Sequence, residues 1–324
     1  MNWRDVRDLA RPFTLVPPAL GILSGGLCAF GSAHNPDPSR SFTWPVMANL
    51  ALGALCASLL NAASNVLNQI ADLEADRINK PQRPLPSGRV DLASAWRLAL
   101  LLYLVSLLPA WLLVPYPYVS LWAKLSAPWS AHGVFALYLG AALATAVYSL
   151  PQLGRTKRLG IWANLTIAVP RGVWLKVAGW GTVAPIGKPE AWWMGLIFGA
   201  FLLGASSTKD FSDMAGDRAS GVLTLPVKYG ERRAAWMIAP SFVLPWLLIP
   251  LGVRWRVGET FLLTGNPLLL DLLALVLTLW GLYTCALLLR EPEALSRTEN
   301  HPSWTHMYLM MMTAQVGFAA AYLV

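Results

Sequence analysis

Carboxylate and amide side chains recur at helical spacing in two short stretches of the sequence. The stretches hold, in order, Asn68, Asp72 and Asp76, and then Asp210, Asp213 and Asp217. Residues three or four positions apart lie on one face of a helix, so each set is expected to present its oxygen atoms together. Each set also follows a long apolar run, and acidic groups at the end of a helix oppose the helix dipole. A bound cation would offset that cost.

Magnesium is the cation that suits these ligands best. Mg²⁺ binds one or two carboxylates and completes its shell with water and substrate phosphate. Calcium is not expected, because no loop has the spacing and the glycine of an EF-hand. The alternative is that the acids solvate loop ends or pair with Arg77, Arg83 and Arg218, and a single motif would favour it. Two D-x-x-x-D-R motifs in matching positions favour the metal, although six residues are too few to establish a duplicated unit.

Basic residues follow a third apolar run. Tyr148 stands near its end, and Arg155, Lys157 and Arg158 come directly after it. A metal-bound diphosphate needs cations on its remaining oxygen atoms, and these residues would supply them. The composition of this loop alone equally fits an ordinary basic loop at a membrane surface.

Polar residues also occur inside the next apolar run. Asn164 and Arg171 are seven residues apart, which predicts that they share a helical face, and Lys176 lies nearby. Charges within a membrane span are costly and usually point into the interior of a helix bundle. We therefore expect Arg171 to line an anionic pocket.

Composition shows what kind of element must position these residues. Of the 324 residues 56% are hydrophobic and 13% are charged, and the mean hydropathy is +0.48. Apolar windows of about 20 residues, the length that crosses a bilayer, recur along the chain. This pattern predicts an all-α, polytopic membrane protein of a single domain, 1–324. The nine predicted spans are 13–32, 46–70, 93–114, 133–150, 160–182, 191–208, 234–253, 268–289 and 305–324.

The basic residues predict the orientation of the chain. Of the 25 lysines and arginines, 18 fall in the N-terminal arm and in the loops on the same side, and five fall on the other side. By the positive-inside rule the N-terminus and the motif-bearing loops 71–92, 151–159 and 209–233 are cytoplasmic, and nine spans place the C-terminus outside. The net charge of +8 is thereby explained without nucleic acid.

Together these motifs resemble the UbiA superfamily of intramembrane prenyltransferases over nearly the whole chain. The matching segments are Arg11-Pro-Phe-Thr, Asn68-Gln-x-x-Asp72-x-x-x-Asp76, Asn79-Lys-Pro-x-Arg83-Pro-Leu-Pro-Ser-Gly88, Tyr148-Ser-x-Pro151, Lys157-Arg158, Lys209-Asp-x-x-Asp213-x-x-Gly-Asp217-Arg218 and Gly221-x-x-Thr-Leu-Pro-Val227. Gln69 departs from the aspartate that many members carry. The Asn-Gln form looks like the homogentisate prenyltransferase and bacteriochlorophyll synthase branches.

The resemblance implies a fold, a cofactor and a set of site residues. The implied fold is nine helices around a central cavity open to lipid, with a cytoplasmic cap over Mg²⁺ and an isoprenyl diphosphate. Asn68, Asp72 and Asp76 would serve one metal, and Asp213 and Asp217 the other, with Asp210 close by. The substrate-binding candidates are Asn68, Arg83, Tyr148, Lys157, Arg158, Asn164, Arg171 and Lys209. Asp72, Asp76, Asp213 and Asp217 would be catalytic in moving the prenyl group to a lipophilic, aromatic or ring-containing acceptor.

Two other functions remain open at this point. A terpene cyclase on the same scaffold would quench the allylic cation within the chain and need no acceptor. An ion-coupled transporter would place its acidic groups near the bilayer midplane, whereas these lie at the membrane boundary. Most of the 16 tryptophans are expected at the interface, leaving Trp174 and Trp180 as possible cavity residues. The three cysteines, which form no C-x-x-C pair, are expected to be buried, and the four histidines to be non-catalytic.

Overall fold

The computed structural model describes all 324 residues, and nearly all of its regular structure is helical. The α-helices are α1 Trp3–Ala10, α2 Val16–Gly31, α3 Trp44–Ala71, α4 Leu73–Asn79, α5 Leu92–Ala110, α6 Leu121–Leu125, α7 Gly133–Ser149, α8 Ile161–Ala168, α9 Leu175–Gly181, α10 Pro189–Ala205, α11 Met214–Ala219, α12 Leu225–Tyr229, α13 Glu231–Ile238, α14 Leu244–Arg254, α15 Pro267–Arg290, α16 Ala294–Arg297 and α17 Pro302–Leu323. A π-helical segment, Val169–Trp174, joins α8 to α9. One two-stranded hairpin, β1 Arg256–Val257 and β2 Thr260–Phe261, follows α14.

Six helical segments are long and apolar enough to cross a membrane, so the expected count of nine is not confirmed. The segments are Pro12–Gly31, Trp44–Ala71, Leu92–Ala110, Pro189–Lys209, Glu231–Arg254 and Pro267–Arg290. The other three predicted windows also coincide with helices. The fourth is the 17-residue α7, the fifth is divided by the π segment, and the ninth is the 22-residue α17. The chain is an integral membrane protein of helical class.

The outer surface of the bundle is apolar in the way that lipid contact requires. On α15, Leu268, Leu272, Leu275, Leu279 and Leu282 are all more than half exposed and follow each other at intervals of three or four residues. Exposure of an apolar stripe of this size to water would be unfavourable and promote aggregation, whereas contact with lipid is not. The lipid-facing side of α15 is therefore opposite the side that packs on α14 and α17.

Close helix packing holds the middle of the bundle together. Helix α3 packs on α2 and α5, and α2 packs on α9 and α17. A side chain at Gly25 would place its Cβ 2.5 Å from the backbone carbonyl oxygen of Lys176, so this crossing requires glycine. Trp180 is fully buried in the largest apolar cluster, whereas Trp174 is partly buried against Gly140.

The N-terminal arm is attached to α3 by a row of amide side chains. The Asn61 and Asn65 amides donate to the carbonyl oxygens of Thr14 and Ala10, and the Gln69 amide donates to that of Leu9 at 2.8 Å. These three residues are four apart on one face of α3. The row holds the segment Leu9–Thr14 against the end of α3, and Arg11 belongs to that segment.

Candidate active site

Both acidic motifs have the same backbone construction. Helix α3 ends at Ala71, and Asp72 (φ −97°, ψ 12°) starts the short helix α4. Asp213 (φ −99°, ψ 2°) starts the short helix α11 in the same way. The first acid of each motif therefore lies at a break and the second, Asp76 or Asp217, on the following turn. The backbone hydrogen bonds from Asp72 to Asn68 and from Asp76 to Asp72 nevertheless keep the four-residue spacing across the break.

A single asparagine joins the two motifs. Asn79, the last residue of α4, donates from Nδ2 to the Asp213 carbonyl oxygen at 3.2 Å and accepts from the Gly216 amide at 3.0 Å. A Cβ at Gly216 would lie 2.3 Å from this side chain, so only glycine allows the contact. The two acidic helices thus meet at one end of the bundle, called here the motif end.

Basic side chains lie between the carboxylates. Lys157 Nζ is 2.7 Å from Asp72 Oδ2 and 3.7 Å from Asp217 Oδ1, so one ammonium group links both motifs. Arg155 donates to Asp72 Oδ1 at 2.9 Å. On the other side Arg83 donates to both oxygens of Asp76 at 2.6 Å, and Lys80 donates to Asp213 at 2.5 Å. Every carboxylate of the two motifs except that of Asp210 is thereby within 4 Å of a cation.

Burial changes the proton affinity of the second motif. It raises the pKa of Asp210 to about 7, and the nearby Asp217 carboxylate adds to the effect. Burial also raises the pKa of Asp217 to about 6, against the opposing charge of Lys157. At Lys157 burial opposes the charged form, but the negative charges of Asp72, Tyr148 and Asp217 together outweigh it and raise the pKa of that ammonium above its ordinary range. Near neutral pH the site therefore contains both carboxyl and carboxylate groups.

Several buried polar atoms in this region have no hydrogen-bond partner. They include Oδ1 of Asn68, one turn before Asp72, and Nη2 of Arg11, whose guanidinium interacts electrostatically with Asp72, Asp76 and Asp213. An unpaired acceptor next to carboxylates and an unpaired cationic donor match the two kinds of partner that a metal-bound phosphate offers.

A family model, described as the UbiA prenyltransferase family, matches residues 19–299. The chain belongs to this family. It is accordingly a prenyltransferase, and the resemblance of its motifs to the UbiA superfamily is confirmed.

Individual UbiA relatives are distant but cover most of the chain. The chain is 28% identical to the digeranylgeranylglyceryl phosphate synthase of Methanobrevibacter smithii, over 83% of this chain and 85% of that one. It is 26% identical to the bacteriochlorophyll synthase 34 kDa chain of Chloroflexus aurantiacus, over 97% and 89% respectively. A solved UbiA homologue from Archaeoglobus fulgidus, bound to GPP and Mg²⁺, superposes with a TM-score of 0.64 at 17% identity and covers 99% of this chain and 100% of that chain. The products named for these relatives differ.

The side chains of the two motifs are suited to coordinate Mg²⁺. No three acidic, histidine or cysteine side chains come close enough together to hold a metal by themselves. Mg²⁺ does not require such a cage, because one or two carboxylates with water and phosphate oxygens complete its shell. Asp72 and Asp76 on one side and Asp213 and Asp217 on the other offer such pairs, and the unpaired Asn68 oxygen adds a neutral ligand.

Some predicted site residues lie away from this cluster. Arg158 is exposed and donates to the Ser220 carbonyl oxygen at 3.5 Å. Asn164 donates to the Leu203 carbonyl oxygen and to Ser207, which ties α8 to α10. Lys209 donates to the Glu299 carbonyl oxygen at 2.9 Å, above the ring of Trp304. Each of these side chains has a structural contact of its own.

Three cations of the cluster were absent from the predicted site. Lys80 and Arg11 belong to the motif segments that carried the family resemblance, so their signal was present but unused. Arg155 was named only as one cation of a basic loop, and it contacts Asp72 where Arg158 does not. Spacing in sequence did not show which of the three basic residues of that loop turns inward.

Arg171 points toward α3 and not to the side that Asn164 faces. Its guanidinium lies 3.4 Å from Ser64 Oγ on α3, whereas Asn164 faces α10. The expected shared face was wrong because Arg171 itself lies in the π segment, which has more residues per turn than an α-helix. Tyr148, at the end of α7, is within electrostatic range of Arg171 and of Lys157, Asp72 and Asp210.

Proposed function

We propose that the chain transfers an isoprenyl group from an isoprenyl diphosphate to a lipophilic, ring-containing acceptor in a Mg²⁺-dependent reaction at the motif end. Lys157 carries this proposal, because its single ammonium group lies between Asp72 and Asp217 of the two motifs. An ammonium group between two sets of carboxylates is suited to bind a diphosphate once metal ions occupy those carboxylates. The geranyl diphosphate and magnesium in the A. fulgidus homologue support the same ligand class.

The basic residues would bind the diphosphate once metal ions neutralise the carboxylates. Bound Mg²⁺ would supply a Lewis acid that stabilises negative charge on the leaving diphosphate. Asp72, Asp76, Asp213 and Asp217, with Asn68 and Asp210 beside them, would hold it. Arg155, Lys157 and Arg83 would then be free to donate to phosphate oxygens, and their charges stabilise the same developing anion.

Transfer breaks the allylic C1–O bond and leaves its electron pair on the diphosphate. The acceptor atom forms the new bond to C1 and loses a proton, so one acceptor hydrogen is exchanged for the prenyl group. The chamber must exclude water until the acceptor attacks, since water would quench the cation.

We further propose that the motif end faces the cytoplasm and that residues 1–324 form one domain. Lysine and arginine are concentrated at this end, as the positive-inside rule requires of a cytoplasmic surface. The Asn79 contact between the loops after α3 and α10 supports one folded unit.

Isosteric removal of one carboxylate charge from each motif tests the function. The Asp72→Asn and Asp213→Asn variants are each expected to lose at least about 10²-fold in Mg²⁺-dependent diphosphate release from geranylgeranyl diphosphate, because metal and cations lose their counter-charge. The matched control is Asp271→Asn, since Asp271 pairs with Arg254 away from both motifs. Turnover within threefold of the unaltered enzyme in both variants would overturn the assignment. If mass spectrometry detects a cyclic hydrocarbon formed without acceptor, the assigned reaction becomes cyclisation and not transfer.

A further inference from the structure

A cavity of about 360 Å³ at the motif end is lined mainly by arginine. It lies between α1 with the residues that follow it and the proline-rich turn before α5. Its charged lining residues, called here the arginine pocket, are Arg7, Asp8, Arg11, Arg83 and Arg89, and the others are prolines and a glutamine. Four arginines and one aspartate give the lining a net charge of +3. Like charges repel each other around such a cavity, and a bound anion would remove that cost.

The carboxylates of the protein neutralise the arginine pocket only in part. Nη2 of Arg11 is buried and has no hydrogen-bond partner. Arg89 lies 3.3 Å from both Asp5 and Asp8, and Arg7 lies 3.3 Å from Asp8 as well. The one aspartate of the lining is thus shared by two arginines. Each guanidinium has five N–H donors, so most donors of the pocket remain available.

Arginines elsewhere at the surface show what a neutralised guanidinium looks like in this chain. Arg254 Nη2 lies 2.7 Å from Asp271 Oδ2, and Arg77 Nη1 lies 2.9 Å from Glu74 Oε1. Each of these arginines has a carboxylate of its own at a short distance. The longer, shared contacts of the arginine pocket therefore do not reflect a shortage of well-paired surface arginines in the chain.

The arginine pocket adjoins the metal-binding cluster but has a different lining. Arg83 lines the pocket and also donates from Nη1 to both oxygens of Asp76 at 2.6 Å. No motif aspartate lines the pocket, and neither Arg155 nor Lys157 does. A phosphate group in the pocket would therefore be held by arginine alone, without the carboxylates that hold Mg²⁺.

The arginine pocket lies where the chain enters the membrane. Pro12, which lines the pocket, is the first residue of the membrane-crossing segment Pro12–Gly31. Arg89 precedes the segment Leu92–Ala110 by three residues. Trp3, on α1, is 80% exposed, as expected of a tryptophan among lipid headgroups. Basic pockets at this level of a membrane protein bind the phosphate groups of lipids.

We propose that the arginine pocket is a second phosphate-binding site, which holds one phosphate-bearing anion without Mg²⁺. A planar guanidinium donates two parallel hydrogen bonds to phosphate oxygens, and several guanidiniums around one cavity surround such a group. Two sources of the group reach this position. One is the headgroup of an anionic phospholipid at the membrane boundary, and the other is diphosphate released at the motif end beside Arg83. The site does not depend on the proposed function, and only the second source does.

Binding of two probes in the presence of EDTA tests the site and distinguishes the sources. Inorganic diphosphate is titrated calorimetrically into the full-length protein in nonionic detergent. Phosphatidylglycerol is offered in an equal mixture with phosphatidylcholine, whose phosphate carries a compensating cation, and the retained lipid is identified by native mass spectrometry. We expect diphosphate to bind, or phosphatidylglycerol to be retained in preference to phosphatidylcholine.

Variants assign the binding to the pocket. Arg7→Gln and Arg89→Gln should each weaken it about fivefold, the effect of one basic residue on a phosphate at a membrane surface. Asp8→Asn should strengthen it, because it removes the one carboxylate of the lining. Arg4→Gln is the matched control, since Arg4 is exposed on the same helix and does not line the pocket. Lys157→Gln, which alters the metal-binding cluster, should retain the binding.

Several outcomes would overturn the inference. They are binding of neither anion, binding that stays within about twofold in both Arg7→Gln and Arg89→Gln, an equal loss in Arg4→Gln, or loss in Lys157→Gln, which would place the anion in the metal site. Binding of diphosphate alone identifies the released product as the occupant, and a phosphatidylglycerol preference alone identifies lipid. Melting temperatures show whether each variant is folded, and Arg7→Gln keeps the test open if Arg89→Gln does not fold. Absence of Mg²⁺-dependent turnover in the unaltered protein would contradict the proposed function and leave these measurements unaffected.

Discussion

Two arginines of the active site adopt a left-handed backbone conformation. Arg11 has φ 55° and Arg155 has φ 40°, values that residues other than glycine rarely take. Such conformations persist only where surrounding contacts impose them, and they are concentrated at functional sites. Here each one turns a guanidinium toward the acidic cluster. Sequence patterns carry no sign of this geometry, which explains why both residues were absent from the predicted set while the carboxylates were not.

The raised pKa values at Asp210 and Asp217 predict a pH dependence of Mg²⁺ binding. A folded-state pKa of about 7 or 6 lies above the unfolded value of 3.8, so the metal-free fold holds extra protons. That contribution stabilises the fold at low pH and is lost as pH rises through about 6 to 7. Magnesium requires the deprotonated form, so its affinity should change in the opposite direction. We expect it to fall roughly tenfold per pH unit for each protonated ligand below its pKa.

Calorimetric titration with Mg²⁺ at pH 8.0 and pH 5.5 checks this prediction. Binding should be weaker at pH 5.5, and proton release, measured in two buffers of different ionisation enthalpy, should be largest near pH 6 to 7. Asp210→Asn is the matched variant and should lose the upper part of the dependence. Equal affinity at both pH values would contradict the raised pKa values.

At the scale of elements, the amide row on α3 determines where the N-terminal arm lies. The row begins with Asn61 and ends with Gln69, and the arm that it holds carries Arg11 to the site. Gln69 therefore has a structural role as a donor that an aspartate at this position would not fill. Glutamine at position 69, where many UbiA members carry an aspartate, thus makes a structural hydrogen bond.

Gln69→Leu tests the role of the row. Loss of the donor leaves the Leu9 carbonyl oxygen buried without its partner, at a cost of about 1–3 kcal/mol. We expect faster tryptic cleavage at Arg7 and a severalfold higher KM for the isoprenyl diphosphate. Asn49→Leu is the control for loss of a buried amide at the other end of α3, where Asn49 donates to Val114 and Thr182 and accepts from Lys124. It should lose at least as much stability as Gln69→Leu, and an equal KM change in both would argue against a local role.

Across the whole molecule, the end of the bundle opposite the motifs is held by one buried carboxylate. Glu190, at the start of α10, accepts hydrogen bonds from Ser32, His34, Thr264 and Tyr322 at 2.5 to 2.9 Å. These donors come from the ends of α2 and α17 and from the loops after α2 and before α15. The network ties together parts of the chain that are far apart in sequence.

Glu190→Ala should lower stability without changing catalysis. The substitution leaves several buried donors unpaired, at a cost of about 3–5 kcal/mol, which a lower Tm in detergent would report. Because α10 spans about 25 Å from Glu190 to the motif end, kcat of the folded fraction should be unaffected. Glu259→Ala is the control, since Glu259 is exposed. A lower kcat in folded Glu190→Ala would instead show coupling between the two ends.

Sequence periodicity predicted the helical architecture and the acidic site residues. It failed for features that contacts between distant segments determine, such as helix breaks and side-chain directions. Apolar windows located the helices, because a span must bury its backbone hydrogen bonds whatever its neighbours are. The motif aspartates were found because their spacing is local. The breaks at Asp72 and Asp213 and the inward turn of Arg155 depend on contacts between distant segments, which spacing does not record.

The π segment Val169–Trp174 has a consequence for how residues of the fifth predicted span find their neighbours. Asn164, before the segment, packs on α10, whereas Arg171, within it, faces α3. A π turn holds more residues than an α turn, so side chains that α-helical spacing would stack on one face are directed to different helices. A neighbour assigned in this span by counting in sevens is therefore the wrong one.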